Sequence, residues 1–432
     1  MSPAPRLLDE RRALDLDQSD PLGGLRERFL VPAAGAGPHA EVAYLAGNSL
    51  GLQPRVVGER IAEELADWAR LGVDGHTEAA RPWVSYHELL REPAARLVGA
   101  LPSELVMMNS LTVNLHLMMA SFYRPVGRRR AVLVEDTTFP SDSYAVRSQV
   151  AFHGFDPDAD VDRLRPRDGE DVLRSDDIVT YLDERGGRMA MVLLGAVNYL
   201  SGELLDIESI TAAGHRAGVV VGWDLAHAAG NVPLRLHDWD VDWAAWCTYK
   251  YLNSGPGAVA GAFVHERHLR DADRPRLAGW WSTDPATRFE MRSTLDPVYT
   301  ADAWAVSNPP ILAMAPALLS LEMFDEVGID VLRGRSLSLT GYLEALLDEV
   351  CRGRQLDVIT PRDPNRRGAQ LSVRVRGIDA AEVSRRLRAD YEVIADFRRP
   401  DIVRLAPAPF YVSYHDCWRA ACALADLVDR HG

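Results

Sequence analysis

Lys250 is the only lysine in a chain of 432 residues whose other 47 basic side chains are arginine. At a surface ion pair arginine serves as well as lysine. What arginine cannot supply is a primary amine that loses its proton when buried and condenses with a carbonyl. The count alone does not separate a chemical role from a compositional habit, so the neighbourhood has to decide. Residues 218–224 (Gly-Val-Val-Val-Gly-Trp-Asp) are a short apolar run ending in a carboxylate. That is the pattern of a buried parallel strand whose C-terminal end opens on a cleft, and open α/β sheets bind ligands at such ends. His227 follows Asp224 by three residues. A second apolar segment, 241–249, delivers Tyr249 and Lys250 at its end, 26 residues after Asp224.

A carboxylate at one strand end and a lone lysine at the next suit pyridoxal phosphate. The amine would carry the cofactor aldehyde as a Schiff base. The carboxylate would keep the pyridine nitrogen protonated, so that the ring can take up electrons. Taken singly, Asp224 also suits a helix N-cap before Leu225-Ala-His, and Tyr249 suits a core aromatic; the pair at this spacing carries the argument. A phosphate needs several donors. Ser110-Leu-Thr-Val-Asn114 opens a helical pattern, and the free N–H groups of Leu111 and Thr112, with the threonine hydroxyl, can cradle an anion. An ordinary N-capped helix has the same pattern.

The elements that must position these groups alternate. Helical periodicity runs over 54–71 and 85–100, and Ala131-Val-Leu-Val134 is a short strand leading to Thr137-Thr-Phe-Pro-Ser-Asp142 and a helix. Met189–Leu194 reads as a strand, 207–217 as a helix and 260–264 as a further strand. Strands alternating with helices imply a mostly parallel, helix-covered sheet. Residues 311–352 read as long helices, 369–376 as a half-exposed strand, then a helix from Asp379 and strands near 391–395 and 402–405. The expected organisation is an N-terminal segment, 1–45, packing on the small domain, a large domain, 46–310, and a small α+β domain, 311–432.

Composition narrows the class. A net charge of -14 argues against general nucleic-acid binding. No run of about 18 apolar residues is present, so no membrane-spanning helix is expected, and the N-terminus lacks an apolar signal core. Four cysteines (247, 351, 417, 422) show no metal-ligand spacing, and a reduced, cytoplasmic protein without a bound metal is expected. His265-Glu-Arg-His268 is one residue short of the metalloprotease helix motif and reads as surface.

An ordered set of motifs then becomes specific. Trp223-Asp-Leu-Ala-His-Ala-Ala-Gly-Asn231, His237-Asp-Trp-Asp-Val-Asp-Trp243 and Cys247-Thr-Tyr-Lys-Tyr-Leu-Asn253 closely resemble the kynureninase family. So do Leu45-Ala-Gly-Asn-Ser-Leu-Gly-Leu-Gln-Pro54, Arg81-Pro-Trp83, Asn109–His116, Phe139-Pro-Ser-Asp142, Ser307-Asn-Pro-Pro-Ile311 and Arg404-Leu-Ala-Pro407. The resemblance runs from about Tyr44 to Phe410. It implies an α/β protein with a fold-type-I pyridoxal phosphate large domain, related to class V aminotransferases, built on a mostly parallel sheet of seven-stranded type. It implies hydrolytic Cβ–Cγ cleavage of an L-kynurenine to an anthranilate-type acid and L-alanine.

The resemblance also implies roles. Lys250 carries the cofactor and shuttles the Cα proton, and Asp224 holds the pyridinium. Phe139 stacks on the ring, Asp142 is a second carboxylate near it, and His227 lies beside the cofactor. Leu111, Thr112, Tyr249 and Trp280 serve the phosphate, with Trp280 supplied by the partner in a homodimer. Tyr249 is also the expected proton donor in the later steps. Arg404 clamps the substrate α-carboxylate, with Asn48 and Ser49 in a substrate-facing turn. His76 and Asn308 touch the substrate's aromatic ring, and in the family that pair accompanies preference for 3-hydroxykynurenine. The sequence departs from the family pattern at Gly195, where animal members have a serine on the cofactor, at Leu200, and in the run Trp280–Asp284. A class V aminotransferase or a cysteine desulfurase would share Asp224, His227 and Lys250, and a non-catalytic binding protein could keep the fold. Which ring substituents are accepted stays open, as does the choice between tryptophan catabolism and specialised aryl-acid synthesis.

Overall fold

The computed structural model describes residues 8–430 apart from Ala36 and Ala272. The first seven residues of the expected N-terminal segment and the last two of the small unit lie outside it. Its centre is a seven-stranded sheet. In chain order the strands are β1 (Leu105–Met107), β2 (Ala131–Glu135), β3 (Val161–Leu164), β4 (Met189–Gly195), β5 (Val220–Asp224), β6 (Trp243–Trp246) and β7 (Gly261–Val264). They lie in the order β1-β7-β6-β5-β4-β2-β3, parallel throughout except that β7 runs against both its neighbours.

The apolar runs are continuous because both faces of this sheet are covered. Leu133, Val192, Leu194, Val221 and Trp223 join one core cluster, and Val132, Val134, Met191 and Leu193 join the other. Alternate side chains of a strand point to opposite faces, so each strand feeds both cores. The parallel order also puts the C-terminal ends of β2, β4 and β5 side by side, with Glu135, Gly195 and Asp224 as their last residues.

Beyond the sheet lie two long helices, Ile311–Val327 and Ile329–Cys351. The first packs on the helices Val57–Leu71 and Tyr86–Val98. A second sheet is antiparallel and four-stranded, in the order Leu356–Val358, Leu371–Val375, Ile402–Leu405, Asp396–Arg398. Helix Ala380–Tyr391 packs on it, and helix Tyr414–Asp429 packs on that helix and on Ile329–Cys351. Asp379 caps Ala380–Tyr391 by accepting from the Ala381 N–H, and Ser413 and Asp416 close a capping box on Tyr414–Asp429.

The N-terminal segment is tied to these C-terminal elements. Ala43–Tyr44 pairs in parallel with Val393–Ile394, and Asp17 accepts from the N–H groups of Tyr414 and His415.

Two local expectations are corrected. The extended segment 241–249 stops at Trp246, and Cys247–Lys250 belong to the following turn. The turn wins there because the Thr248 hydroxyl donates to the Val259 carbonyl, the Asn253 N–H donates to Lys250, and Asn253 takes the left-handed conformation. His265 is not surface: it is buried and stacks on His237 beside the carboxylate of Glu104. Among the described residues no helix is long and apolar enough to cross a membrane.

Candidate active site

A cavity of about 390 Å³ opens at the C-terminal ends of β2, β4 and β5. Its size falls in the range of small-molecule sites. Ten of the expected residues line it: Asn48, Ser49, Leu111, Thr112, Phe139, Asp142, Asp224, His227, Tyr249 and Lys250.

Lys250 reaches the cavity from the turn after β6, and its Nζ lies 3.1 Å from His227 Nε2. Burial and the charge of Lys250 push the His227 pKa well below its usual value, with Arg404 and Arg398 adding to the effect. His227 is therefore a neutral imidazole at neutral pH, and its ring nitrogen can accept from the Lys250 amine. Asp224 does two things. One carboxylate oxygen accepts from the Ala226 N–H at 2.7 Å, capping the turn that carries His227, and the same group lines the cavity. Burial and the neighbouring Asp224 charge raise the Asp142 pKa well above the carboxylate range.

Two helices begin at the cavity. Leu111–Phe122 starts after Ser110, which is extended and makes no side-chain cap, so its first amides keep free donors. Pro140–Phe152 starts with proline at its first position. The hydroxyls of Thr112 and Ser141 meet at 2.8 Å and pin the two starts together. Gly51 lets the 47–51 turn approach the lysine turn. Its N–H donates to the Tyr249 carbonyl at 2.8 Å, and a Cβ there would lie 2.2 Å from Asn253 Oδ1. That approach brings Asn48 and Ser49 to the cavity.

Four expected residues do not line it. Arg404 is fully enclosed and donates to the Tyr199 carbonyl at 2.6 Å and to Asp396. His76 is exposed on the short helix Gly75–Glu78, edge-on to Trp83. Trp280 lies edge-on to the exposed Phe289. Asn308 borders a separate cavity of about 190 Å³ with His87 and Trp281.

The cavity also holds groups that sequence reasoning missed. Glu135 is buried at the end of β2. It accepts from the Asn198 amide at 2.8 Å, and burial pushes its pKa up to about 7. The signal was available, since Glu135 ends an apolar run just as Asp224 does. A Cβ at Gly195 would come within 3.2 Å of Glu135 Oε1, so the glycine that departs from the family serine leaves room for this carboxyl. Asn198 in turn accepts from the Leu200 and Ser201 N–H groups. This shapes the turn that carries Tyr199, edge-on to Phe139 with ring centroids 5.1 Å apart. Arg398 lines the cavity as well, and no local signal marks one arginine among 47.

Pyridoxal phosphate fits these groups. The amine, the strand-end carboxylates, the helix-start donors and an exposed aromatic at Phe139 border one space. The side-chain Oδ1 of Asn48 and Nδ1 of His227 are buried there without a hydrogen-bond partner among the described residues. A mostly parallel sheet with a lysine turn and a carboxylate at adjoining strand ends marks a pyridoxal phosphate enzyme.

Solved structures agree on the fold. A cysteine desulfurase from Thermococcus onnurineus superposes with a TM-score of 0.75 at 16% identity, covering 90% of this chain and 95% of that one. The cystine C–S lyase C-DES, in complex with its product cysteine persulfide, gives 0.76 at 17% identity, over 90% and 98%. A kynureninase of Salinispora tropica is 62% identical over 423 residues, 98% of each chain. The model of the kynureninase C-terminal domain matches residues 332–424. The chain belongs to the kynureninase family, and its cofactor is pyridoxal phosphate.

Proposed function

We propose that the protein hydrolyses the Cβ–Cγ bond of an L-kynurenine, adding water to give an anthranilate-type acid and L-alanine, and that it favours a 3-hydroxylated ring. The observation that carries this reading is the Lys250 amine, 3.1 Å from a neutral imidazole, in the cavity that Asp224 and Asp142 also line. The cofactor supplies an electron sink for negative charge developing at the substrate's Cα. Leu111, Thr112 and Tyr249 hold its phosphate end, Asp224 its ring nitrogen, and Phe139 its ring face.

Lys250, once free, removes the Cα proton, and His227 orients the amine. Tyr249 is held in its protonated form by burial and the nearby Cys247. It therefore donates a proton rather than abstracting one in the later steps. Arg404 anchors the α-carboxylate, with Asn48 and Ser49 alongside.

The phosphate end, through Trp280, and the ring end, through Asn308, are completed by a second copy of the chain. Trp280 and Asn308 lie outside the cavity, and Leu277, Phe289, Met291, Leu295 and Tyr299 are exposed in the same stretch, an apolar surface of the kind that marks an interface. His76 and Asn308 then face the ring hydroxyl. The boundary between the large and small units falls near residue 310, and the cytoplasm is the compartment that fits four free cysteines. A desulfurase needs a nucleophilic thiol, but no cysteine lines the cavity, and burial raises the pKa of all four.

The test is to mix cofactor-loaded protein with L-kynurenine or 3-hydroxy-L-kynurenine and to quantify alanine and the released aryl acid, with Lys250→Ala as control. Alanine should form from both, with the higher kcat/KM for the hydroxylated substrate. Equal kcat/KM values would remove the ring preference, and no alanine from either would remove the reaction.

A further inference from the structure

The strand Asp396–Arg398 pairs antiparallel with Ile402–Leu405, placing Asp396 directly opposite Arg404. Residues two apart on a strand share a face, so Asp396, Arg398 and Arg404 project from the same side of the small sheet. Asp396 touches both guanidiniums, one oxygen accepting from Arg398 Nη1 at 2.7 Å and the other from Arg404 Nη2. The two arginines differ in what they have left. Arg404 is fully buried, with one nitrogen on the Tyr199 carbonyl and one on Asp396. Arg398 keeps 31% of its side chain exposed and lines the cavity. Among the described residues its hydrogen bonds all leave from Nη1, so Nη2 and Nε are free to face a ligand. Two guanidinium charges meet one carboxylate, leaving one positive charge unmatched. Both arginines lie close enough to His227, the neighbour of Lys250, to disfavour its protonation. A substrate whose amine reacts where Lys250 sits carries its carboxylate one carbon away, within this positive field.

We propose that Arg398 is the accessible half of a two-arginine carboxylate clamp, with Asp396 holding both guanidiniums in place, and that Arg398 determines the selectivity of the site for α-amino acids over amines. The inference rests on the proposed reaction only in taking an amino acid as the ligand. A planar fork with free Nη2 and Nε can bind a carboxylate through two parallel hydrogen bonds, and a lysine at 398 would keep the charge but not the fork.

The experiment titrates cofactor-loaded wild-type, Arg398→Ala and Arg398→Lys proteins with L-alanine and with ethylamine, following the cofactor absorbance. Wild type should bind L-alanine far more tightly than ethylamine. Arg398→Ala should cut that preference about 10- to 100-fold, the range for losing a charged hydrogen-bond pair, with ethylamine binding unchanged. Arg398→Lys should fall between the two. A preference within about twofold of wild type in both variants, or equal weakening of both ligands, would overturn the proposal. The second outcome is the one a merely structural role predicts. If Arg398→Ala takes up no cofactor, Arg398→Lys decides alone. A wild type that prefers L-alanine yet cleaves no kynurenine would refute the reaction while leaving the clamp intact.

Discussion

At the floor of the cavity, ten expected side chains meet within one chain, carried on strand ends, helix starts and the adjoining turns, beside the two cores. At the residues proposed for the substrate's ring, and at Trp280, the arrangement is different. His76 and Asn308 are exposed, Trp280 lies against an exposed Phe289, and none of the three borders the cavity. The floor is finished by the fold of the monomer, because parallel β-strands must end together. The ring end is carried on loops and short helical turns, with apolar surface around Trp280 still open to solvent. On the proposed reading the chemistry belongs to the floor, and the substrate's ring is selected where a second copy of the chain would complete the site.

The sharpest way to break this comparison is subunit mixing. Lys250→Ala should lower turnover at least ~10³-fold, since it removes both the attachment point and the proton carrier. Trp280→Ala should be strongly impaired as well. If Trp280 comes from the partner, mixing the two inactive chains under exchange conditions restores one intact site in each mixed dimer, about a quarter of all sites at random pairing. Recovery to that order in an alanine-release assay would show that sites are shared. No recovery, with mixed dimers demonstrated, would confine each site to one chain.

A smaller effect sharpens the ring end itself. His76→Ala and Asn308→Ala should each reduce the preference for 3-hydroxykynurenine over kynurenine by about 10- to 100-fold. A buried polar group left without its partner costs that much in differential binding. The ratio of the two kcat/KM values is the measurement, and a ratio unmoved by both substitutions would leave the ring hydroxyl to other residues.

The same contrast explains what the sequence made legible. Asp224 could be read because a carboxylate closing an apolar run is a local pattern, and Lys250 because it is unique. The mostly parallel sheet followed from the alternation of strands and helices, and its seven-stranded type only from the family resemblance, since Leu105–Met107 and Val161–Leu164 carry no such signal. The end of β6 did not, because the turn from Cys247 is fixed by the distant Val259 carbonyl. Glu135 closes an apolar run as Asp224 does, but Asp136 follows it, so the local pattern fits a polar loop as well as a strand end. Arg398 was hidden among the arginines, and its place beside Arg404 depends on antiparallel pairing across residues 399–401. The attachment of the N-terminal helix to Tyr414 and His415 joins residues nearly 400 apart, which no local pattern reports.

The smallest expected effect concerns stability at the floor. Glu135 is fully enclosed beside Asp224, and burial raises its pKa from 4.5 to about 7. A carboxyl whose folded pKa lies above its unfolded one favours the folded state fully below the unfolded value, and the benefit is lost as pH rises through the folded value. In cofactor-free protein, wild type should therefore lose stability relative to Glu135→Gln between about pH 4.5 and about pH 7. The slope is on the order of 1 kcal/mol per pH unit at most. Glutamine keeps the shape and an acceptor for the Asn198 amide but cannot ionise. Glu203 has its pKa raised to about 7 by burial too, yet it is common to both proteins and cancels in the difference. Urea unfolding of the two proteins across that window gives the comparison directly. A difference that stays flat with pH would mean that Glu135 is ionised throughout, held charged by Asn198 and the Gly195 N–H. The floor would then carry a fixed negative charge beside Asp224 rather than a neutral acid.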